Sequence, residues 1–191
     1  LLRNALRLAD VDYCEIRFEQ SEFLSIGYQG KELDRIVRDT PYGGNVRALY
    51  KGGWGFASFN SLDDLDEAVK SACRQARITG DKQGGESKLA PAPVIEDEYV
   101  PNYTLDPRKV SLDEKINLLD RYRDIILGYD PAITAAQITY NERITDLCFA
   151  NTEGTYVRQE KLDIGASLGA TARRGMLTVS ESIGRGSSIG F

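Results

Sequence analysis

Histidine is absent from this sequence of 191 residues, and its absence removes several classes of chemistry. Without histidine the chain lacks the general base of Ser-His-Asp and Cys-His catalysis. It also lacks the imidazole ligand on which most catalytic zinc sites depend. We therefore predict no catalytic residue and no metal ligand in this chain. If the protein is an enzyme, its reactive centre is expected to lie outside these residues.

Two further absences limit what the chain can bind. No apolar run approaches the roughly 18 residues of a membrane-spanning helix, so we predict no membrane partner. The net charge is −5 and no long run of lysine and arginine is present, which argues against direct nucleic-acid binding. No secretory signal is visible, but the chain begins at Leu1 and not at methionine, so the native start is expected to lie upstream.

Cysteine is also scarce. The sequence contains three, Cys14, Cys73 and Cys148, without a C-x-x-C pair, and an odd number does not indicate a disulfide framework. We predict that each is a small apolar residue in a reducing, cytoplasmic setting.

Apolar and polar residues alternate in the first half of the chain, and this pattern predicts an antiparallel meander. A short helix over 2–9 precedes it. The predicted strands cover 14–18 with its continuation 24–28, then 33–38, 46–50 and 54–59. A second helix follows, capped by Asn60 or Ser61, with Gly80 as its expected end.

The second half shows a similar order. Ser111 and Glu114 form a capping box that opens a helix. Its predicted apolar face consists of Leu112, Ile116, Leu119, Tyr122 and Ile126, and Gly128 and Pro131 end it. Strands are predicted over 133–140, 144–150, 155–159, 162–170 and 176–182. The last, glycine-rich residues are predicted to be a flexible or truncated end.

Together these patterns predict an α+β fold with a curved, mostly antiparallel sheet and helices packed on one face. We divide the chain into a first helix and meander half (1–80), an extended, acidic, proline-containing connection (81–110) and a second half (111–191). "RALYKGGWGFAS" and "GATARRGMLTVS" occupy corresponding places, which suggests an internal repeat. Both halves are expected to form one domain.

The glycine-rich and acidic stretches offer only weak ligand motifs. "GRGSSIG" (184–190) lacks the G-x-G-x-x-G spacing and the following helix of a dinucleotide site. "SLDDLDEA" (61–68) and "VIEDEYV" (94–100) have oxygen ligands for a hard cation. The start of a helix explains the first, however, and a solvated connection explains the second.

Four single residues are candidates for a binding or catalytic site. Glu15, Glu19 and Glu153 could take part in acid–base chemistry, although the solvent face of a strand is the simpler interpretation. Trp54, the one tryptophan, could stack on a ligand, but a large aromatic residue in phase with Phe56 on a strand is usually part of the core. The sequence does not identify substrate-binding residues.

Three stretches, taken in order, resemble the N-terminal half of the TldD/PmbA family, also known as modulators of DNA gyrase. They are "DYCEIRFE", "GGNVRALYKGGWGFASFNSLDDLDEAVKSA" and "FANTEGTYVRQEK", and the resemblance extends over nearly the whole chain. "WGFAS" and "NTEG" favour the TldD-like, metal-bearing branch over the PmbA-like branch.

The resemblance implies a metallopeptidase whose zinc site, an H-E-x-x-x-H motif with a further cysteine, belongs to a C-terminal domain. None of those ligands can be placed on this chain, so zinc is expected in the missing domain and no family site residue is carried over. The family also implies a homodimer, or a heterodimer with another family member, and unfolded or small peptides as substrates.

These implications lead to three hypotheses for function. The first is the N-terminal domain of a TldD-like zinc metallopeptidase, which helps to assemble the dimer and presents peptide substrates. The second is a non-catalytic, PmbA-like partner or assembly module. The third is an unrelated domain that binds a small molecule.

Overall fold

The computed structural model describes residues 1–83 and 87–191. Within these residues eight strands form a mostly antiparallel sheet that is not closed, accompanied by three helices, which confirms the predicted α+β class. None of these helices has both the length and the apolar character to cross a membrane.

The elements in chain order are α1 (Leu2–Leu6), β1 (Tyr13–Gly30), β2 (Glu32–Asp39), β3 (Tyr42–Tyr50), β4 (Gly53–Phe59), α2 (Leu65–Gln83), β5 (Glu96–Tyr99), α3 (Leu112–Gly128), β6 (Ile133–Asn151), β7 (Tyr156–Arg174) and β8 (Leu177–Ser187), with 3₁₀ turns at Leu62–Asp64 and Pro107–Lys109.

Neighbouring strands follow the order β4-β3-β1-β6-β7-β5, with β2 beside β1 and β8 beside β7. The residues form two compact units, each discontinuous in sequence. The first unit comprises Leu1–Ser21, Pro41–Val100 and Thr145–Glu160, and the second comprises Glu22–Thr40, Pro101–Ile144 and Lys161–Phe191. The division at 1–80, 81–110 and 111–191 stays a prediction.

The core of the first unit lies where α2 packs on β3 and β4. Alternate strand residues such as Ile16 and Val46 are fully buried there, together with Val69 of α2. Gly55 of β4 permits the close packing, because a Cβ at this position would lie 2.1 Å from the carbonyl oxygen of Ala72. A glycine is therefore required at position 55 so that helix and strand backbones can touch.

Gly80 does not end α2, contrary to our prediction, since the helix continues to Gln83. A Cβ on Gly80 would lie 2.1 Å from the carbonyl oxygen of Tyr50, and a Cβ on Gly53 would lie 2.2 Å from the amide nitrogen of Gly80. This glycine therefore serves the packing of the helix on the strands and not its termination. The cap at the other end is as predicted, because the Ser61 side chain accepts a hydrogen bond from the Asp63 amide at 3.2 Å.

The core of the second unit lies between α3 and the apolar residues of β1, β6 and β7. The predicted capping box is present, with Glu114 N 3.2 Å from Ser111 Oγ and Ser111 N 2.8 Å from the Glu114 carboxylate. Four of the five predicted apolar residues of α3 belong to this core, and the exception, Tyr122, is 39% exposed. The core contacts are made by Leu112, Ile116, Leu119 and Ile126 with residues that include Leu24, Ile26, Ile138 and Tyr140.

Several predicted breaks between strands are wrong. Segments 133–140 and 144–150 belong to the single strand β6, and 155–159 and 162–170 fall mainly in the single strand β7, whereas 24–28 continues 14–18 within β1 as predicted. A strand that is partly exposed on both faces need not keep a regular alternation of apolar and polar residues. The interruption of that alternation was therefore mistaken for the end of a strand. Of the predicted connection, residues 84–86 lie outside the described residues, and the rest contains β5, which pairs in parallel with β7.

Of the two alternatives that we predicted for the glycine-rich end, flexible or truncated, the flexible one is wrong, because Gly184 and Gly186 lie within β8 and pair with Ser167 and Gly165 of β7. Beyond β8, the amide of Phe191 donates a hydrogen bond to the Leu105 carbonyl at 2.9 Å. The end of the chain is thus held by backbone pairing.

Candidate functional site

The first unit has a sheet face opposite α2 that carries aromatic and charged side chains. We call it the aromatic face and define it by Tyr13, Glu15, Arg47, Trp54 and Phe56. Strand register brings these residues together, because Arg47 of β3 lies between Glu15 of β1 and Phe56 of β4. Two residues further along β3, Leu49 lies between Tyr13 of β1 and Trp54 of β4. Their neighbours in sequence point to the core under α2, as strand alternation requires.

Glu15 organises the centre of the aromatic face. Its carboxylate accepts a hydrogen bond from Tyr13 Oη at 2.6 Å and another from Arg47 Nε at 2.5 Å. The Glu15 side chain is only 12% exposed, and the bond to Glu15 raises the pKa of the Arg47 guanidinium. Burial raises the pKa of Tyr13 to about 12, and the hydrogen bond to Glu15 adds to this effect. Tyr13 is therefore a neutral donor at physiological pH.

Trp54 contacts both of the other rings of the aromatic face. The Arg47 guanidinium carbon lies 5.1 Å from the centroid of the Trp54 ring, within cation–π distance. Tyr13 meets Trp54 edge-on at 6.5 Å, and Trp54 and Phe56 stack at 6.3 Å. Tyr13 is buried, Trp54 is half-buried, and Phe56 is 55% exposed. Aromatic surface therefore becomes more accessible towards β4.

A turn after β6 joins this network. Asn151 Nδ2 donates to Tyr13 Oη at 3.5 Å, and Asn151 Oδ1 accepts from the Thr155 amide at 2.9 Å. The side chain of Thr152 accepts from the Cys14 amide at 3.0 Å, next to Tyr13. "DYCEIRFE", "NVRALYKGGWGFAS" and "NTEG" thus meet in space on one side of the first unit.

Our prediction that Trp54 is a core residue is wrong. The α2 side of β4 is occupied by Gly53, Gly55 and Phe59, and Trp54 and Phe56 lie on the other side. A large ring could not replace Gly55 against the helix backbone. The two stretches that we compared as an internal repeat place Met176 opposite Trp54, but Met176 is fully exposed in a turn, so the two residues do not have corresponding surroundings.

The candidate carboxylates do not form a pair for acid–base chemistry. Glu15 is held by Tyr13 and Arg47, whereas Glu19 pairs with Arg17 at 2.5 Å. Glu153 is exposed in the turn, and its charge is one of the smaller causes that raise the pKa of Tyr13. Sequence reasoning missed Arg47, because only the register between β1 and β3 places its side chain beside Glu15. It also missed Tyr13, although Tyr13 and Glu15 lie two residues apart on β1 and therefore share a face of the sheet.

The two acidic stretches are also explained by local structure. Asp63 and Asp64 lie in the first turn of a helix, where carboxylates are favoured. In β5, Glu96 pairs with Arg3 at 2.5 Å, and Glu98 pairs with Arg158 at 3.0 Å.

In 1–83 and 87–191, no three Cys, Asp or Glu side chains come close enough together to hold a metal ion, and the sequence has no histidine. These residues do not fit the zinc site that the resemblance implies, so no catalytic step is assigned to them.

The edge next to the aromatic face is the outer side of β4. β4 is the terminal strand in the sheet order and, among the described strands, pairs with β3 alone. Its seven residues contain no proline and no charged side chain, the features that commonly protect an edge strand. An extended chain could therefore pair with β4 beside Phe56.

Comparison with known proteins places these features in a family. Residues 14–76 match the PmbA/TldA metallopeptidase domain 1, and residues 105–191 match the PmbA/TldA metallopeptidase central domain. A metalloprotease of Synechocystis is 33% identical over 168 residues, which cover 87% of this chain and 36% of the relative. A metalloprotease of Methanocaldococcus jannaschii is 26% identical over 78% of this chain and 33% of the relative. The chain thus spans about a third of the length of these relatives.

Solved structures share the fold. A protein from Thermotoga maritima described as a modulator of a DNA gyrase superposes with a TM-score of 0.79 at 15% identity, over 97% of this chain and 42% of that one. TldE from Thermococcus kodakarensis superposes with a TM-score of 0.71 at 18% identity, over 96% of this chain and 42% of that one. The matched domains and the shared fold agree, and the chain belongs to the PmbA/TldD metallopeptidase family, with the first and central domains represented.

Proposed function

We propose that this chain is the substrate-presenting and assembly part of a TldD-like zinc metallopeptidase. In this proposal an unfolded or small peptide pairs with the free edge of β4. Zinc binding and cleavage belong to residues that the relatives have and this chain does not span. Assembly with a second family subunit, identical or different, encloses the bound peptide.

The observation that carries the proposal is the unprotected edge of β4 beside the aromatic face. A peptide that adds to a sheet edge is held by backbone hydrogen bonds, so the affinity depends little on its sequence. Such binding suits a peptidase that acts on unfolded chains of varied sequence.

The aromatic face would contact alternate side chains of the peptide. Successive residues of an added strand point to opposite faces, so every second side chain would lie on the side of Trp54 and Phe56. Phe56 is 55% exposed and offers apolar surface. Glu15 holds the Arg47 guanidinium over Trp54, so the surface is organised before a peptide binds.

A specific observation also favours the alternative of a small-molecule site. In the second unit a cavity of about 390 Å³ is lined mainly by apolar residues of α3, β6, β7 and β8, among them Leu119 and Tyr140, and by Phe191 beyond β8. Pockets of this size and character commonly bind small ligands. Binding of an apolar dye there, with no effect on peptide binding, would support a separate small-molecule function.

The proposal can be tested with the fluorescence of Trp54, which is the one tryptophan in the sequence. Titration with an unfolded peptide that lacks tryptophan is expected to shift the Trp54 emission to shorter wavelength. The same peptide with N-methyl groups on alternate backbone amides should bind at least tenfold more weakly, because it cannot complete the strand pairing.

Matched variants locate the site. Phe56→Ser should weaken peptide binding, whereas Tyr129→Ser, at an 84% exposed aromatic residue of the second unit, should leave it unchanged. Equal affinity for the methylated and unmethylated peptides would contradict pairing with β4. Equal effects of the two substitutions would contradict a role for the aromatic face.

A further inference from the structure

The last strand, β8, forms an outer edge of the sheet in the second unit. It pairs with β7 in an unbroken antiparallel register from Leu177 to Ser187 and, among the described strands, with no other. All of its residues before Ser187 are exposed, and the strand contains no proline. The backbone groups on its outer side can therefore pair with another extended chain.

One face of β8 combines apolar and charged side chains. Residues that lie two apart on a strand share a face, and on this face of β8 they are Leu177, Val179, Glu181, Ile183 and Arg185. The three apolar residues are each more than half exposed. Ile183 and Arg185 lie on the side of α3, since they line a cavity together with residues of that helix. Contiguous apolar surface of this kind commonly marks an interaction site.

The two charges on this face have opposite signs and lie four residues apart. Within residues 1–83 and 87–191, neither Glu181 nor Arg185 has an ion-pair partner. The Arg185 guanidinium donates one hydrogen bond, to the Gly184 carbonyl at 3.1 Å, and it has further N–H groups to donate. Both side chains can therefore pair with charges on another chain.

We propose that β8 is the surface through which two copies of this chain associate, by antiparallel pairing of β8 with β8 of the second copy around a two-fold axis at Ile183. The geometry that supports it is the symmetric placement of Glu181 and Arg185 on either side of Ile183, on an exposed edge. The inference rests on the assembly part of the proposed function. It identifies the partner as an identical subunit and the contact surface as β8.

The two-fold axis pairs residues that lie equally far from position 183 in opposite directions. Ile183 then lies opposite its own copy, and Glu181 of each copy lies opposite Arg185 of the other. Opposite charges that face each other directly across antiparallel strands stabilise the pairing, and the symmetry repeats this ion pair. On the other face, positions 180–186 carry only serine and glycine, so no bulky side chain obstructs the contact.

The same charges disfavour the neighbouring registers. In a continuous antiparallel sheet the axis lies at a residue and not between two, because paired residues point to the same face. An axis at Glu181 would place two carboxylates opposite each other, and an axis at Arg185 would do the same with two guanidinium groups. An axis at Ser182 or Gly184 would place both charges opposite uncharged residues. Glu181 and Arg185 thus specify one register.

The test is cross-linking of the full-length protein with one new cysteine in β8. Only a residue on the axis meets its own copy, so Ile183→Cys should form a disulfide-linked dimer under mild oxidation. Val179→Cys is the matched control, because it is about as exposed as Ile183 but would lie about 26 Å from its own copy, eight residues along the strands. We expect cross-linking through position 183 to be at least tenfold faster. The unmodified protein measures the background from the three native cysteines.

Charge exchange tests the register. In the Ile183→Cys protein, Glu181→Arg should slow the cross-linking at least tenfold, because two guanidinium groups would then face each other twice. Addition of Arg185→Glu to the same protein should restore the rate, since both ion pairs are then present in the reverse direction. Damage to the fold by the first substitution would not be repaired by the second.

Sedimentation of the unmodified protein separates two kinds of failure. A dimer that does not cross-link through position 183, that cross-links equally fast through position 179, or that is insensitive to the charge exchange would overturn the inference alone. A monomeric protein would overturn the inference together with the assembly part of the proposed function. Peptide binding at β4 is measured separately by the fluorescence of Trp54, so neither result would decide it.

Discussion

Arg47 lies over the indole ring of Trp54, with its guanidinium carbon 5.1 Å from the ring centroid. Both residues lie on the sheet face opposite α2, and Glu15 fixes the guanidinium from the other side at 2.5 Å. The one tryptophan of the chain is therefore a reporter of the aromatic face and not of the core.

Removal of the guanidinium should expose Trp54. In Arg47→Ala we expect emission at longer wavelength, stronger quenching by acrylamide, and a loss of about 0.5–1 kcal/mol in the free energy of unfolding, as for exposed cation–π pairs. Arg17→Ala is the matched control, because Arg17 lies on β1 and pairs with Glu19. Identical spectra for the two variants would mean that Arg47 does not cover the ring.

Tyr13 should resist ionisation. Burial, and then the hydrogen bond to Glu15, raise its pKa to about 12, above the usual value near 10. A raised folded-state pKa means that this contribution to stability is complete below about pH 10 and is lost as pH rises through about 12. Glu15→Gln removes the negative acceptor and should lower the Tyr13 pKa.

Ultraviolet difference titration checks this, with Tyr13→Phe used to assign the signal. The ionisation signal that is lost in Tyr13→Phe belongs to Tyr13. This signal should appear at a high pH in the unmodified protein and at a lower pH in Glu15→Gln. An unchanged midpoint in Glu15→Gln would show that burial alone sets the pKa.

Gly55→Ala should destabilise the first unit strongly. The added Cβ would lie 2.1 Å from the Ala72 carbonyl oxygen and 2.4 Å from the Ala76 amide nitrogen, so α2 would have to move away from β4. We expect a loss of about 1–3 kcal/mol, as for overpacked cores. Gly128→Ala is the control, since nothing lies within 4 Å of that position, and alanine there should be neutral or slightly stabilising. Urea unfolding measures both, and equal midpoints would contradict the backbone contact.

The second unit depends on a buried ion pair. Lys115 Nζ donates to Glu142 at 2.8 Å and to the Pro107 carbonyl at 2.9 Å, and Tyr140 Oη donates to the same carboxylate at 2.6 Å. Lys115→Met would leave the Glu142 carboxylate without its cation and should cost about 3–5 kcal/mol.

The double substitution Lys115→Met with Glu142→Leu should lower the free energy of unfolding less than Lys115→Met alone, because no unpaired charge is left. Lys51→Met tests an exposed pair, Lys51 with Asp81, and should have little effect on urea unfolding. If Lys51→Met lowered the free energy of unfolding as much as Lys115→Met does, the importance of burial would be contradicted.

Local sequence patterns predicted the α+β class, the capping box and most strands, because these depend on alternation and on neighbours in sequence. The capping of α3 by Ser111 and Glu114 is one example. The end of α2 was missed because Gly80 touches Tyr50 across the fold, a contact that no local pattern contains.

The candidate site was harder to predict for the same reason. Trp54 was assigned to the core from its phase with Phe56, and its actual side of the sheet is set by Gly55 against α2. The hydrogen bond from Arg47 to Glu15 depends on the register between β1 and β3.

The most direct test of the central claim is hydrogen exchange of the full-length protein with and without an unfolded peptide. Peptide pairing with β4 predicts slower exchange of the backbone amides in Gly53–Phe59 when peptide is bound. It predicts no change in β8, Leu177–Ser187, which is the edge strand beside β7 in the second unit. Protection of β8 with β4 unchanged, or of neither strand at saturating peptide, would contradict the account.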